Sequence, residues 1–342
     1  MKLIFFGTGT FAVPALRALA GHVALVVTQP DRPSGRGMRM GVGPVKAAAM
    51  ELGLTVESPE KSRAPEFVER LRAENADALV VASYGQILSP AVLDSARRGG
   101  INLHGSLLPK YRGAAPIQRA ILDQEPETGV TLMQMDKGMD TGEVIAMRST
   151  PIGPDETYGE LQDRLAVIAA EMAVEWMPRI VSGDYPRVPQ DSSGATMAPK
   201  VEKAEAELSF DRPATAEYAR FRAFTPSPGA TLRTKAGLVK LSRSRIADRG
   251  SRISDAELGT RNSELGAGNP EAVESSRSAI RDPRSETRPE SGEVLSVAPS
   301  FIIAFKEGAF ELIEVQPEGK KRMSGRDLAN GLRLKPGMNV KP

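Results

Sequence analysis

The first half of the chain alternates short apolar runs, many of them β-branched, with segments whose apolar positions recur at helical spacing. This is the pattern of a parallel sheet covered by helices. It predicts strands over residues 2–6, 23–29, 55–58, 77–83 and 101–104, with helices over 11–20, 45–52, 65–73, 91–97 and 116–122. Pro14 falls in the first turn of its helix, where a missing N–H does no harm. Residues 77–83 are almost continuously apolar, as in a strand buried on both faces. Two further strands, 130–135 and 144–147, are joined through 136–142, and a long helix over 158–180 closes this part.

From about 182 to 203 the chain turns to Gly, Pro, Asp and Ser, so a linker is expected at 190–205 between a domain of 1–189 and one of 206–342. A length of 342 residues also favours two domains of roughly 150 residues. Past the linker, one helix over 215–224 and strands over 230–233, 238–246, 292–297, 301–305 and 310–315 point to a small barrel or sandwich. Between them, 247–291 holds eight Ser, seven Arg and nine acids but only five Ile, Leu or Val and no aromatic residue. That is too little apolar surface to offset chain entropy, and a disordered insertion is expected there.

Composition narrows the chemistry mainly by exclusion. Zero Cys removes disulfides, thiolate catalysis and Cys-ligated metals, and with His22 and His104 the only histidines no metal centre is expected. Charges nearly cancel, 45 Lys plus Arg against 43 Asp plus Glu, so a nucleic-acid surface requires local clustering. From Glu318 onward Lys320, Lys321, Arg322, Arg326, Arg333, Lys335 and Lys341 outweigh the acids Glu318 and Asp327, which fits a phosphate-binding patch or a solvated basic tail. No run approaches the roughly 20 apolar residues of a membrane span. The amino terminus imitates an export signal, but Gly7-Thr8-Gly9-Thr10 and Arg17 interrupt it, so a cytoplasmic protein is expected.

Gly7-Thr8-Gly9-Thr10-Phe11-Ala12 fits a loose G-x-G-x-x-A pattern, with Asp31 near the spacing of a ribose-binding acid. A tight structural turn explains the same glycines. The following loop carries Arg32, Arg36 and Arg39, whose guanidinium groups suit phosphate oxygens or simply solvent. The densest segment is 101–116. Asn102 and His104 leave the same strand face near the carboxyl end of the sheet, placing an amide donor beside a general base. A lone His is commonly structural. Asp140, on the Gly138–Gly142 turn, either orients His104 or merely forms the turn.

Asn102-Leu103-His104-Gly105-Ser106-Leu107-Leu108-Pro109, Tyr111-Arg112-Gly113, Gly129-Val130-Thr131 and Asp136-Lys137-Gly138-Met139-Asp140-Thr141-Gly142 together resemble the folate-dependent formyltransferases. The early glycine turn, the 29–37 loop and 314–323 extend the resemblance over nearly the whole chain, toward members that formylate methionine carried by initiator tRNA. It implies an α/β, Rossmann-like catalytic domain followed by a small OB-like β-barrel that helps hold tRNA. It implies Asn102, His104 and Asp140 as catalytic residues and Ser106, Leu107, Leu108 and Pro109 as the lining of the folate site. It further implies 10-formyltetrahydrofolate as donor, initiator methionyl-tRNA as partner, tRNA contacts from Arg32, Arg36, Arg39, Lys320, Lys321 and Arg322, and a monomer. Ser227 departs from the family, which usually has Trp there, and the 247–291 insertion is atypical. Other formyl acceptors, formyltetrahydrofolate hydrolysis, a nicotinamide dehydrogenase using Gly7, Gly9 and Asp31, and a non-catalytic RNA-binding protein are the competing readings.

Overall fold

The computed structural model describes residues 1–34, 39–247 and 288–342. Arg36 and nearly all of the expected insertion at 247–291 lie outside the described residues. The chain forms two compact units, one of Met1–Ala206 with Ala219–Ala230 and one of Glu207–Tyr218 with Thr231–Pro342. Residues 190–205, expected as a linker, are thus part of the first unit.

That unit runs β1 (Leu3–Gly7), α1 (Val13–Leu19), β2 (Val23–Val27), the hairpin β3 (Arg32–Ser34) and β4 (Arg39–Gly41), α2 (Pro44–Glu51), β5 (Val56–Glu57) and α3 (Pro65–Ala73). It continues through β6 (Ala78–Ala82), α4 (Pro90–Leu93), β7 (Gly100–His104), β8 (Arg112–Gly113), α5 (Pro116–Leu122), β9 (Glu127–Gln134), β10 (Val144–Pro151), α6 (Tyr158–Ser182) and β11 (Met197–Ala198). The main sheet has the order β10-β9-β7-β6-β1-β2-β5. From β5 to β7 all pairs are parallel, and β9 and β10 add antiparallel. The chain leaves β1 toward β2 and later returns to β6 on its other side. A crevice therefore opens at the carboxyl ends of the central strands, where sheets of this type bind ligands.

Local chemistry explains the departures from the predicted elements. The helix expected over 91–97 stops at α4, where the Ser95 hydroxyl donates to the Val92 carbonyl at 2.6 Å and competes with the backbone ladder. β10 continues past residue 147 to Pro151, because Arg148, Ser149 and Thr150 are polar and carry no apolar signal. At Gly7 a Cβ would lie 2.9 Å from both the Ala12 methyl and the Phe5 ring, and Asp31 is paired with Lys46 at 2.5 Å. Both glycine and acid of the loose dinucleotide pattern thus have packing or pairing roles. Helix α6 opens on a capping box in which Thr157 N–H donates to the Glu160 carboxylate at 2.9 Å and Glu160 N–H to the Thr157 hydroxyl at 3.4 Å.

The second unit contains β12 (Glu207–Leu208), the start of α7 (Ala214–Phe224), β13 (Thr231–Thr234), β14 (Gly237–Ile246), β15 (Val294–Ser296), β16 (Ile302–Ala304), β17 (Ala309–Pro317), β18 (Met323–Ser324) and α8 (Gly325–Gly331). These strands form one curled, OB-like sheet in the order β12-β13-β14-β17-β16-β15, with β18 also on β17. Its core is aromatic: Phe305 stacks on Phe310 at 4.4 Å between centroids, flanked by Phe210 at 5.3 Å from Phe305 and Tyr218 at 5.8 Å from Phe310. Among the described residues no helix is long and apolar enough to cross a membrane.

Candidate active site

A cavity of about 520 Å³ occupies the crevice of the first unit. Its floor is apolar, with Val81, Leu103, Ile117 and Met133, and Asn102, His104 and Asp140 all line it. β7 supplies the first two and the 136–142 turn the third, so the sequence-predicted trio converges at one place.

Asn102 and Asp140 are hydrogen-bonded, and His104 lies beside them. Asn102 Nδ2–H donates to Asp140 Oδ1 at 3.2 Å, and His104 Nδ1 lies 3.6 Å from Asp140 Oδ2. The same Oδ2 accepts the Gly113 backbone N–H at 2.9 Å. His104 is buried, only 5% exposed, and its Nε2 sits 2.9 Å from the Tyr111 carbonyl. A carbonyl can only accept, so Nε2 carries a proton and Nδ1, toward Asp140, is the position free to gain or lose one.

The backbone around the site is arranged for these contacts. Asp140 has φ 52° and Tyr111 φ 62°, both left-handed. Gly113, at φ 127°, lies so near β11 that a Cβ would come within 2.8 Å of the Ala198 carbonyl. β8 and β11 pair in parallel, and Tyr111 N–H donates to the Thr196 hydroxyl at 2.9 Å. The Tyr111 hydroxyl reaches Asp123 at 2.9 Å and Glu125 at 3.0 Å. Burial first, then these carboxylates, push its pKa above the usual phenol value, so it remains a neutral donor.

Ser106, Leu107, Leu108 and Pro109, expected to line the donor site, are not among the residues lining this cavity. Thr131 on β9 pins that stretch, its hydroxyl donating to the Ser106 carbonyl at 2.7 Å and accepting Leu108 N–H at 3.1 Å. The buried Ser106 hydroxyl donates to the Lys110 carbonyl at 2.7 Å. The stretch thus shapes the turn that carries the Tyr111 carbonyl to His104. Ser83–Leu88, which sequence reasoning passed over, are among the lining residues. Their signal was positional, a Tyr84-Gly85-Gln86 segment directly after a buried parallel strand. Ile87, 81% exposed, and Met139, 52% exposed, are apolar residues of the lining that face solvent.

Of the basic residues, Lys320 and Lys321 are exposed in the turn joining β17 to β18, and the exposed Arg322 adjoins them, its guanidinium 3.6 Å from Glu314. Arg32 and Arg39 lie on the antiparallel pair β3–β4. Among the described residues no group of three or more His, Asp or Glu is arranged to hold a metal ion.

Residues 1–181 match the family model described as formyl transferase, and residues 200–333 match the formyl transferase C-terminal domain. The chain belongs to the formyl transferase family. A relative from Symbiobacterium thermophilum named methionyl-tRNA formyltransferase is 40% identical over 347 residues, covering 100% of this chain and 96% of its own. Another of that name, from Solibacter usitatus, is 41% identical over 337 residues, covering 98% and 96%. The solved structure of a Helicobacter canadensis N-formyltransferase in complex with folinic acid and dTDP-3-aminofucose is similar at TM-score 0.58 and 16% identity, covering 91% of this chain and 98% of that one. At that identity the similarity is one of fold.

Proposed function

We propose that this formyl transferase moves the formyl group of 10-formyltetrahydrofolate to the α-amine of methionine esterified to initiator tRNA, giving N-formylmethionyl-tRNA for translation initiation. The observation that carries the reading is the meeting of Asn102, His104 and Asp140 in one cavity of a chain 40% identical, end to end, to a methionyl-tRNA formyltransferase. The cavity fits the donor chemically: apolar lining suits a flat fused ring, and Asn102, His104 and Asp140 line the same space.

The chain's own groups account for the reaction. The neutral amine attacks the formyl carbon, a C–N bond forms, and the carbonyl electron pair moves to oxygen. Asn102 spends one amide hydrogen on Asp140, leaving the other to donate to that oxygen. His104 Nδ1 takes the proton lost by the amine, and the resulting imidazolium stands beside the Asp140 carboxylate. Nδ1 then returns the proton to N10 as the oxygen's electron pair re-forms the carbonyl and the C–N10 bond breaks, its pair staying on N10. Tetrahydrofolate and the formylated amine are the products.

Arg32, Arg36, Arg39, Lys320, Lys321 and Arg322 are assigned to the tRNA, where cationic side chains neutralise phosphates. We place the protein in the cytoplasm, acting as a monomer. Purified protein supplied with 10-formyltetrahydrofolate should formylate methionine on initiator tRNA and leave free methionine and glycinamide ribonucleotide unchanged. Turnover without an acceptor would assign hydrolysis instead, and formylation of a small amine in preference to tRNA would overturn the substrate.

A further inference from the structure

We propose that Gln190 is a positioning residue that holds the Asp140 turn in register with His104, an inference that rests on the catalytic reading above. Gln190 Nε2 donates to the Asp140 carbonyl at 2.9 Å and to the Gly142 carbonyl at 2.7 Å. Its Oε1 accepts from the Arg112 guanidinium, Nε at 3.1 Å and Nη2 at 2.7 Å. Both hydrogens and both lone pairs of one amide are therefore engaged.

The geometry explains why an amide stands there. The turn presents two backbone carbonyls that need donors, and Arg112, only 7% exposed, presents donors that need an acceptor. Carboxylates cannot donate and ammonium groups cannot accept, so Glu or Lys satisfies one side alone. The dipeptide Arg112–Gly113 holds Asp140 from two directions: Gly113 N–H binds its carboxylate directly, and Arg112 holds its backbone through Gln190. Asp140 needs such support because its backbone is left-handed, a conformation that is strained in a residue other than glycine and persists only when its surroundings enforce it. Small displacements of a catalytic group are expensive, about 100-fold in rate for 1 Å.

Gln190→Glu is the diagnostic variant, because it keeps the Arg112 contact and loses both donations to the turn. With the wild-type protein active on charged tRNA, the variant should melt within a few degrees of it. Its kcat should fall about 10–100-fold with little change in KM for either substrate. In an Asp140→Ala background the same change should cost almost nothing further, since the residue acts through Asp140. Hydrogen exchange at the Gly113 amide gives a readout independent of turnover: released from its carboxylate, it should exchange at least about tenfold faster. Should Gln190→Glu fail to fold, Gln190→Met, which has neither donor nor acceptor, is measured in the same three ways. Unchanged kcat, losses that add to those of Asp140→Ala, or unaltered Gly113 exchange would overturn the proposal. Absence of formyl transfer in the wild type would overturn the catalytic reading, and the exchange measurement would still decide whether Gln190 holds the turn.

Discussion

The His104 corner and the basic turn around residues 318–322 are both assigned to substrate, yet they are built in opposite ways. In the corner, Asp140 alone is held by Asn102, Gly113 and Gln190, and His104 is anchored to the Tyr111 carbonyl. In the turn, Lys320, Lys321 and Arg322 are all exposed, and Arg322 is ion-paired with Glu314 at the surface. Stabilising charge that appears for an instant on one oxygen demands groups already in place. Attracting a phosphate chain demands charge at the end of a long side chain, and order there would only cost entropy.

This contrast can be broken or sharpened by substitution. The largest effect is expected from Asp140→Ala, which removes the acceptor of Asn102 and Gly113 and the partner of the His104 imidazolium. Single-turnover formyl transfer should slow by about 10³-fold, with tRNA affinity unchanged. Gly113→Ala comes next. It places a methyl against the Ala198 carbonyl at a positive φ, and should cost about 1–3 kcal/mol in a thermal melt while slowing transfer about tenfold. Replacing Lys320, Lys321 and Arg322 together by Ala should leave kcat alone, raise KM for tRNA, and reduce the slope of log affinity against log salt by about 2. An unchanged slope would remove the turn from the tRNA surface.

The smallest effect is a control outside both regions. Arg119 holds Glu205 through contacts of 2.7 and 3.0 Å, and its hydrogen bond keeps the Glu205 carboxyl below the usual range. Because this pKa is depressed in the folded state, its stabilisation is present above the unfolded value and fades as pH falls through the folded one. Glu205→Gln should cost about 0.5 kcal/mol at neutral pH, discounted for exposure, and the difference should vanish on acidification. Equal melts at neutral pH would show the pair contributes nothing.

Sequence made the alternation of strands and helices legible, because buried parallel strands such as Ala78–Ala82 have no polar positions to blur them. Asn102 and His104 were readable for a similar reason, since their strand spacing alone places them on one face. Gln190 was not. It lies in a Gly-, Pro- and Ser-rich stretch with no periodicity, and its value comes from partners 78 and 50 positions away. Ser83–Leu88 of the cavity lining went unread as well, because only their place after a buried parallel strand marks them.

The most direct test of the His104 corner is His104→Ala, with formyl transfer and tRNA binding measured on the same preparation. Transfer should slow by about 10³-fold while the tRNA dissociation constant stays within twofold of wild type. Transfer that survives the substitution would remove His104 from the reaction.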